Sequence, residues 1–230
     1  MASLSTWLTD FRDLFFPRYC AVCDRRLITR EQKLCGKCLM LLPYIEVRDL
    51  RDNPMARLFW AKIPIEKAHS YIHYRNDSSS HNLLMQLKYG HRPDLGLWLG
   101  RMMARDLMAS GFFDDVDCLM PVPLHWRRQW SRGYNQSRQL ARGIAKATGL
   151  PIADGYVRRV RNNPTQTNKS SSERIQNVKD LFLSRPDIPY RHLLLIDDVL
   201  TTGATLTAFA EAIQRQNPDV VFSILTLAKA

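Results

Sequence analysis

Apolar positions in this 230-residue chain fall into two alternating regimes, short unbroken runs and stripes recurring at helical spacing. Runs of strand length lie at 68–74, 116–122, 193–196 and 220–227, with a further strand predicted over 152–160. Stripes predict helices over 81–88 and 95–108, parted by the Tyr89-Gly90-His91-Arg92-Pro93 break, then over 136–148 and 205–216. Gly149 closes the third helix, where a left-handed residue costs little. The polar stretch 161–177, rich in Asn, Ser, Thr and charge, reads as a functional loop or else a disordered insert. At the front, Trp7, Leu8, Phe11, Leu14 and Phe15 form an amphipathic stripe that Pro17 ends. That stripe suits either packing on a neighbouring module or a membrane surface. Asp10 and Asp13 beside Arg12 on its polar side favour packing.

Strands alternating with helices imply an α/β fold with a parallel sheet and right-handed crossovers, so ligands are expected beyond the carboxyl ends of the strands. With 45% hydrophobic residues the chain can bury one sizeable core plus a small satellite. We expect that division at 1–50 and 51–230.

The formal charge of +11 favours phosphate-rich partners, whether nucleotides, nucleic acid or anionic lipid, without choosing among them. No run approaches the apolar length of a bilayer span and the front lacks a secretory pattern, so stable membrane insertion is not expected and a cytoplasmic location is. Four of the five cysteines form two knuckles, Cys20-Ala21-Val22-Cys23 and Cys35-Gly36-Lys37-Cys38. Four thiolates at that spacing can surround one structural Zn²⁺ with no coordination position left open; a redox pair is the alternative. Cys118, among Val116, Leu119 and Met120, reads as a buried strand residue rather than a reactive thiol.

The most informative stretch is Leu193-Leu194-Leu195-Ile196-Asp197-Asp198-Val199-Leu200-Thr201-Thr202-Gly203-Ala204-Thr205. An apolar strand buried on both faces delivers two adjacent carboxylates, Asp197 and Asp198, which a hydroxyl-rich ligand with a hard cation would accept. Thr201, Thr202, Gly203, Ala204 and Thr205 then bring hydroxyls and amides to a helix start, where phosphate is favoured. A bare helix cap beside a solvated acid pair is the bland reading of each half alone. Val122, Pro123, Leu124, His125, Arg127 and Arg128 form a basic loop after another strand, fit for a diphosphate or simply a solvated face.

The thirteen-residue run resembles the phosphoribosyl-diphosphate motif of the type I phosphoribosyltransferases. With Pro-Val-Pro at 121–123, Leu87-Lys88-Tyr89-Gly90 and Arg132-Gly133-Tyr134-Asn135-Gln136, the whole chain is similar to the ComF/GntX family, linked to natural competence and DNA utilisation. The resemblance implies a type I phosphoribosyltransferase fold with an N-terminal four-cysteine module. It also implies that Asp197 and Asp198 meet the ribose hydroxyls of a Mg²⁺-chelated phosphoribosyl diphosphate or related sugar phosphate, that residues 201–205 grip its 5′-phosphate, and that residues 122–128 belong to the diphosphate loop. Gln166 and Arg174 fall in the place of the flexible loop that closes over the reaction centre, as ligand contacts or as pins that hold the loop. No catalytic residue is assigned. Transfer to an attacking nitrogen is one expectation. A non-catalytic adaptor for single-stranded DNA or a competence helicase, with the zinc module as the contact, is the other.

Overall fold

The computed structural model describes residues 15–28, 31–46, 48–76, 78–161 and 181–230. Four parallel strands, β1 (Ile65–His73), β2 (Cys118–Pro121), β5 (His192–Leu200) and β6 (Val221–Lys229), form a sheet in the order β1-β6-β5-β2. A separate antiparallel ribbon joins β3 (Val157–Arg159) to β4 (Phe182–Ser184). The run of leucines in β5 is unbroken because both faces are covered: Leu194 and Ile196 enter one apolar cluster, Leu193 and Leu195 the other.

The first cluster holds α2 (Ser79–Tyr89), α3 (Pro93–Met108) and α5 (Gln136–Thr148) against the sheet. Proline opens α3, where no amide partner is needed. α3 and α5 cross in backbone contact, since a Cβ on Gly100 would stand 2.1 Å from the Leu140 carbonyl oxygen and one on Gly143 2.2 Å from that of Leu97. The second cluster receives α6 (Ala204–Gln214), β4 and Phe59. The outer edge of β1 is covered by residues 43–53: Ile45 N–H donates to Tyr71 at 3.0 Å, His73 N–H to Pro43 at 2.8 Å and Asn53 Nδ2 to Ala68 at 2.9 Å.

The four-cysteine segment, which includes the short α1 (Gly36–Met40), shares the first cluster. Cys20, Leu27, Leu34, Cys35 and Leu42 are buried with Leu83, Leu84 and Leu87 of α2 and Leu95 and Leu99 of α3. A Lys33–Asp94 ion pair fastens it further.

Three expectations need correction. Residues 152–160 are not one strand: Ile152 bridges Leu119 in the main sheet, and after Asp154-Gly155 the chain leaves to pair with β4 instead. The β5 strand runs beyond residue 196 to Leu200, because Asp197, Val199 and Leu200 keep their ladder with β6, so the acids sit within the strand. The basic loop contains a helix, α4 (Trp126–Arg132), whose cap is His125, with Nδ1 accepting the Arg127 N–H at 3.3 Å. In the front stripe Trp7, Leu8, Phe11 and Leu14 lie outside the described residues, while Phe15 is exposed. Gly149 closes α5 in the left-handed region (φ 80°), as its sequence position predicts.

Candidate functional site

At the carboxyl end of β5 the two acids are half-buried and held differently. Asp197 Oδ1 accepts the Ser137 hydroxyl at 2.9 Å and the Asp198 N–H at 2.9 Å. Asp198 Oδ2 lies 3.4 Å from Lys88 Nζ, at the end of α2. Burial first, and the neighbouring Asp198 charge second, push the Asp197 carboxyl up to about 7, against the pull of its hydrogen bonds and of Lys88. Two carboxylates this close, on the rim of a packed sheet, carry an unfavourable charge that a cation or a set of sugar hydroxyls would relieve.

Beyond Leu200 the chain turns through Thr201 and Thr202, both exposed, into α6. Gly203 is required at the turn: its φ is 77°, and a Cβ there would meet the fully buried Phe59 ring at 2.9 Å. Two exposed threonines thus stand at the start of an eleven-residue helix, Thr202 Oγ1 accepting the Ala204 N–H at 3.5 Å, a place that favours an anion. Ala204 is exposed and Thr205 half-buried.

The basic loop lies beside this turn because β2 pairs with β5, and Val122 N–H continues the ladder to Ile196 O at 2.9 Å. Val122 itself is buried, Pro123 and Leu124 are half-buried, and His125 is buried as the α4 cap. Arg159 arrives from β3. Burial first and the adjacent Arg128 second hold its guanidinium below its ordinary value, while Asp197 acts in the other direction. Burial, then Arg127, Arg159 and Arg128, likewise hold the His125 imidazole down. Arg128 and Arg159, both half-buried and close enough to act on each other, with Arg159 also acting on Asp197, give this corner a positive charge that suits a multiply charged anion.

Arg159, Lys88, Ser137 and Asn135 were not singled out as site residues in the sequence. Asn135 is the hinge of the site. Its Oδ1 caps α5 by accepting the Arg138 N–H at 3.3 Å, while its Nδ2 donates to Val122 O at 3.0 Å, so α5 starts where Ser137 reaches Asp197. Gly133, at φ 77°, ends α4, and the buried Tyr134 donates its hydroxyl to Leu87 O, next to Lys88. The Arg-Gly-Tyr-Asn-Gln string is therefore the joint between the basic loop, the acid pair and α2. Gln166 and Arg174 lie outside the described residues.

The sulfurs of Cys20, Cys23, Cys35 and Cys38 all lie within 4.8 Å of one another. Cys23 and Cys35 are 3.7 Å apart, the edge of a tetrahedron with metal–sulfur bonds of about 2.3 Å. Backbone amides point at the sulfurs, Cys35 N–H to Cys20 at 3.3 Å and Cys38 N–H to Cys35 at 3.4 Å, as thiolates need. The donor set fits a closed site for a metal such as zinc. Among the described residues it is the one cluster of its kind, and no helix there is long and apolar enough to cross a membrane.

A parallel sheet that ends in an acid doublet, a Thr-Gly turn and a basic loop defines a type I phosphoribosyltransferase domain, and the model of the phosphoribosyl transferase domain family matches residues 132–230. Competence protein F of Haemophilus influenzae is 30% identical over 225 residues, covering 94% of this chain and 86% of that protein. DNA utilization protein YhgH of Salmonella typhimurium is 27% identical over 205 residues, covering 88% and 86%. With that identity over nearly its full length, the chain belongs to the ComF family, that of Competence protein F. Likeness to solved structures is slight: the allosteric regulatory enzyme of purine biosynthesis aligns with a TM-score of 0.38 at 20% identity, over 63% of this chain and 29% of that one.

Proposed function

We propose that the chain binds phosphoribosyl diphosphate together with Mg²⁺ at the carboxyl ends of β5 and β2, and that it serves natural competence and DNA utilisation in the cytoplasm. The observation that carries the reading is the acid pair at the end of β5 beside the open Thr201-Thr202 turn, with Asp197 Oδ1 held by the Ser137 hydroxyl at 2.9 Å and Asp198 Oδ2 3.4 Å from Lys88 Nζ. Ribose hydroxyls would donate to the carboxylates, the turn and the α6 amides would take the 5′-phosphate, and Lys88 and the guanidinium groups would hold the diphosphate. Asp197 and Asp198 are the residues that would hold Mg²⁺, and the ion would offset the charge of the diphosphate there. If the bond at ribose C1 breaks, the same cations stabilise the departing diphosphate, so the residues that bind are those that would lower the barrier. The relatives' names, Competence protein F and DNA utilization protein YhgH, support the cellular role. Zn²⁺ on Cys20, Cys23, Cys35 and Cys38 is structural in this reading, and residues 1–50 and 51–230 are its two functional parts.

Calorimetry of phosphoribosyl diphosphate with Mg²⁺ tests the proposal. We expect one site per chain, lost in Asp198→Ala and weakened at least tenfold in Arg159→Ala. Heat-silent titration of the metal-loaded wild type, or binding untouched by Asp198→Ala, overturns it.

A further inference from the structure

Helix α4 is the least packed element among the described residues: it is seven residues long and none of them is buried. Helices this short are normally held by an apolar face. Here the two largest side chains point to water, Trp126 at 63% and Trp130 at 87% exposure. Four positions apart, they share one side of the helix. Tyr89, at the end of α2, is 56% exposed. Two of the three rings have a guanidinium over them, Arg127 Cζ at 5.2 Å from the Trp126 centroid and Arg132 Cζ at 5.3 Å from that of Tyr89. The helix sequence, Trp-Arg-Arg-Gln-Trp-Ser-Arg, contains no acid and no aliphatic residue.

An exposed aromatic group of this size marks a contact surface, and its chemistry narrows the partner. A membrane-surface helix needs aliphatic residues beside its tryptophans, and α4 has none. Double-stranded DNA would use the arginines but leave the rings idle, because its bases are stacked on each other. Unpaired bases use both: each ring offers a stacking face, and the arginines supply charge for the phosphates between them. We propose that α4 and the end of α2 form a stacking platform for single-stranded DNA, with Trp130, Trp126 and Tyr89 as the base contacts and Arg127 and Arg132 along the backbone. The choice of DNA over RNA rests on the DNA-utilisation reading above; the platform itself does not. The contact surface moves accordingly from the four-cysteine module to the rim of the sheet, beside the phosphoribosyl site.

The test uses the full-length, zinc-loaded chain with a fluorescein-labelled oligothymidylate, read by anisotropy and by quenching of tryptophan emission. With two arginines on phosphates, log K against log salt should fall with a slope of about −1.4. Trp130→Ala should weaken binding about tenfold, the share of one stacked ring, and Trp130→Phe should restore most of it. Because Trp130 is almost wholly in solvent, the alanine variant should keep the wild-type melting temperature and the wild-type calorimetric response to phosphoribosyl diphosphate. The two readings thus fail separately: loss of the sugar-phosphate site leaves the oligonucleotide titration in place, and the reverse. Equal affinity for duplex, an unchanged affinity in both Trp130→Ala and Tyr89→Ala, or a tryptophan blue shift on anionic vesicles without any response to the oligonucleotide each overturns the platform, and binding of an oligouridylate with oligothymidylate refused overturns the choice of DNA.

Discussion

Asp197→Asn separates the charge of the site from its shape. The amide oxygen can still accept the Ser137 hydroxyl and the Asp198 N–H, which both reach the same Oδ1 in the parent. Only the ability to ionise is lost. Burial and Asp198 move the parent carboxyl from its ordinary 3.8 to about 7. At 1.36 kcal/mol per pH unit, ionising it in the folded protein costs about 4 kcal/mol. Water reaches a half-buried carboxylate, so we expect about half of that, roughly 2 kcal/mol, to be measured. The sign follows from linkage. For an acid raised on folding, its share of stability is complete below pH 3.8 and is lost as pH climbs to about 7. The amide of the variant never incurs that loss. Without ligand or Mg²⁺, Asp197→Asn should therefore melt close to the parent at pH 4, gain on it up to pH 7, and stay about 4–8 °C above it at pH 8. The same variant should lose phosphoribosyl diphosphate binding. Thermal and urea melts of both proteins across that range, compared pairwise, decide the matter. A variant no more stable than the parent at pH 8, or a difference that does not grow between pH 4 and pH 7, refutes the account of the acid pair.

Further outcomes follow from the packing. Chelating the zinc-loaded protein should lower its melting temperature by more than about 10 °C in a single transition, since the cysteine segment and α2 share one core; an early, separate transition by differential scanning calorimetry would contradict that sharing. A thiol reagent should find no cysteine in the native zinc protein and four after chelation, the fifth appearing only on denaturation, because burial and then Asp117 push Cys118 up to about 12. Gly203→Ala should cost about 2 kcal/mol in urea melts, since a left-handed backbone and the immovable Phe59 both oppose the methyl group. Lys88→Met should weaken phosphoribosyl diphosphate binding at least tenfold in calorimetry and lower the melting temperature at neutral pH, because it leaves the largely buried Asp198 without its counter-ion.

Much of the fold was legible because it is written in periodicity. The helix over 136–148 falls where its apolar stripe and Gly149 put it, and the leucines at 193–195 announce a strand covered on both faces. Asp197, Asp198 and the Thr-Gly turn stood out because their chemistry is concentrated in one stretch. What escaped was whatever depends on pairing at a distance. Residues 152–160 carry enough apolar side chains for one strand, yet the partner of Val157–Arg159 is β4, across a long intervening segment, and no local pattern reveals that choice. α4 was hidden for the opposite reason: with no buried face it has no stripe to read, and its cap is an atypical one, His125. Arg159, Lys88 and Ser137 come from three elements widely separated in sequence, so their convergence on the acids appears only once the sheet order is known. Asn135 did leave a trace, as the cap immediately before a strongly amphipathic helix, but its second bond to Val122 did not.

The placement of unfavourable charge explains why so much of the chain is devoted to holding α2. Asp197 and Asp198 repel each other at the end of β5, so the rim of the sheet there would relax by moving them apart. Two attachments resist this from the α2 side. Lys88 neutralises Asp198, and the preceding residue, Leu87, is pinned by the Tyr134 hydroxyl through its carbonyl and by the apolar core through its side chain. That core continues directly into Leu27, Leu34, Cys20 and Cys35. A cysteine segment that holds a metal would therefore do more than fold itself: it would back the helix that supplies the counter-ion. In that arrangement the stability needed to keep like charges together at the rim comes from the opposite face of α2, where no ligand has to bind and tight packing carries no functional cost.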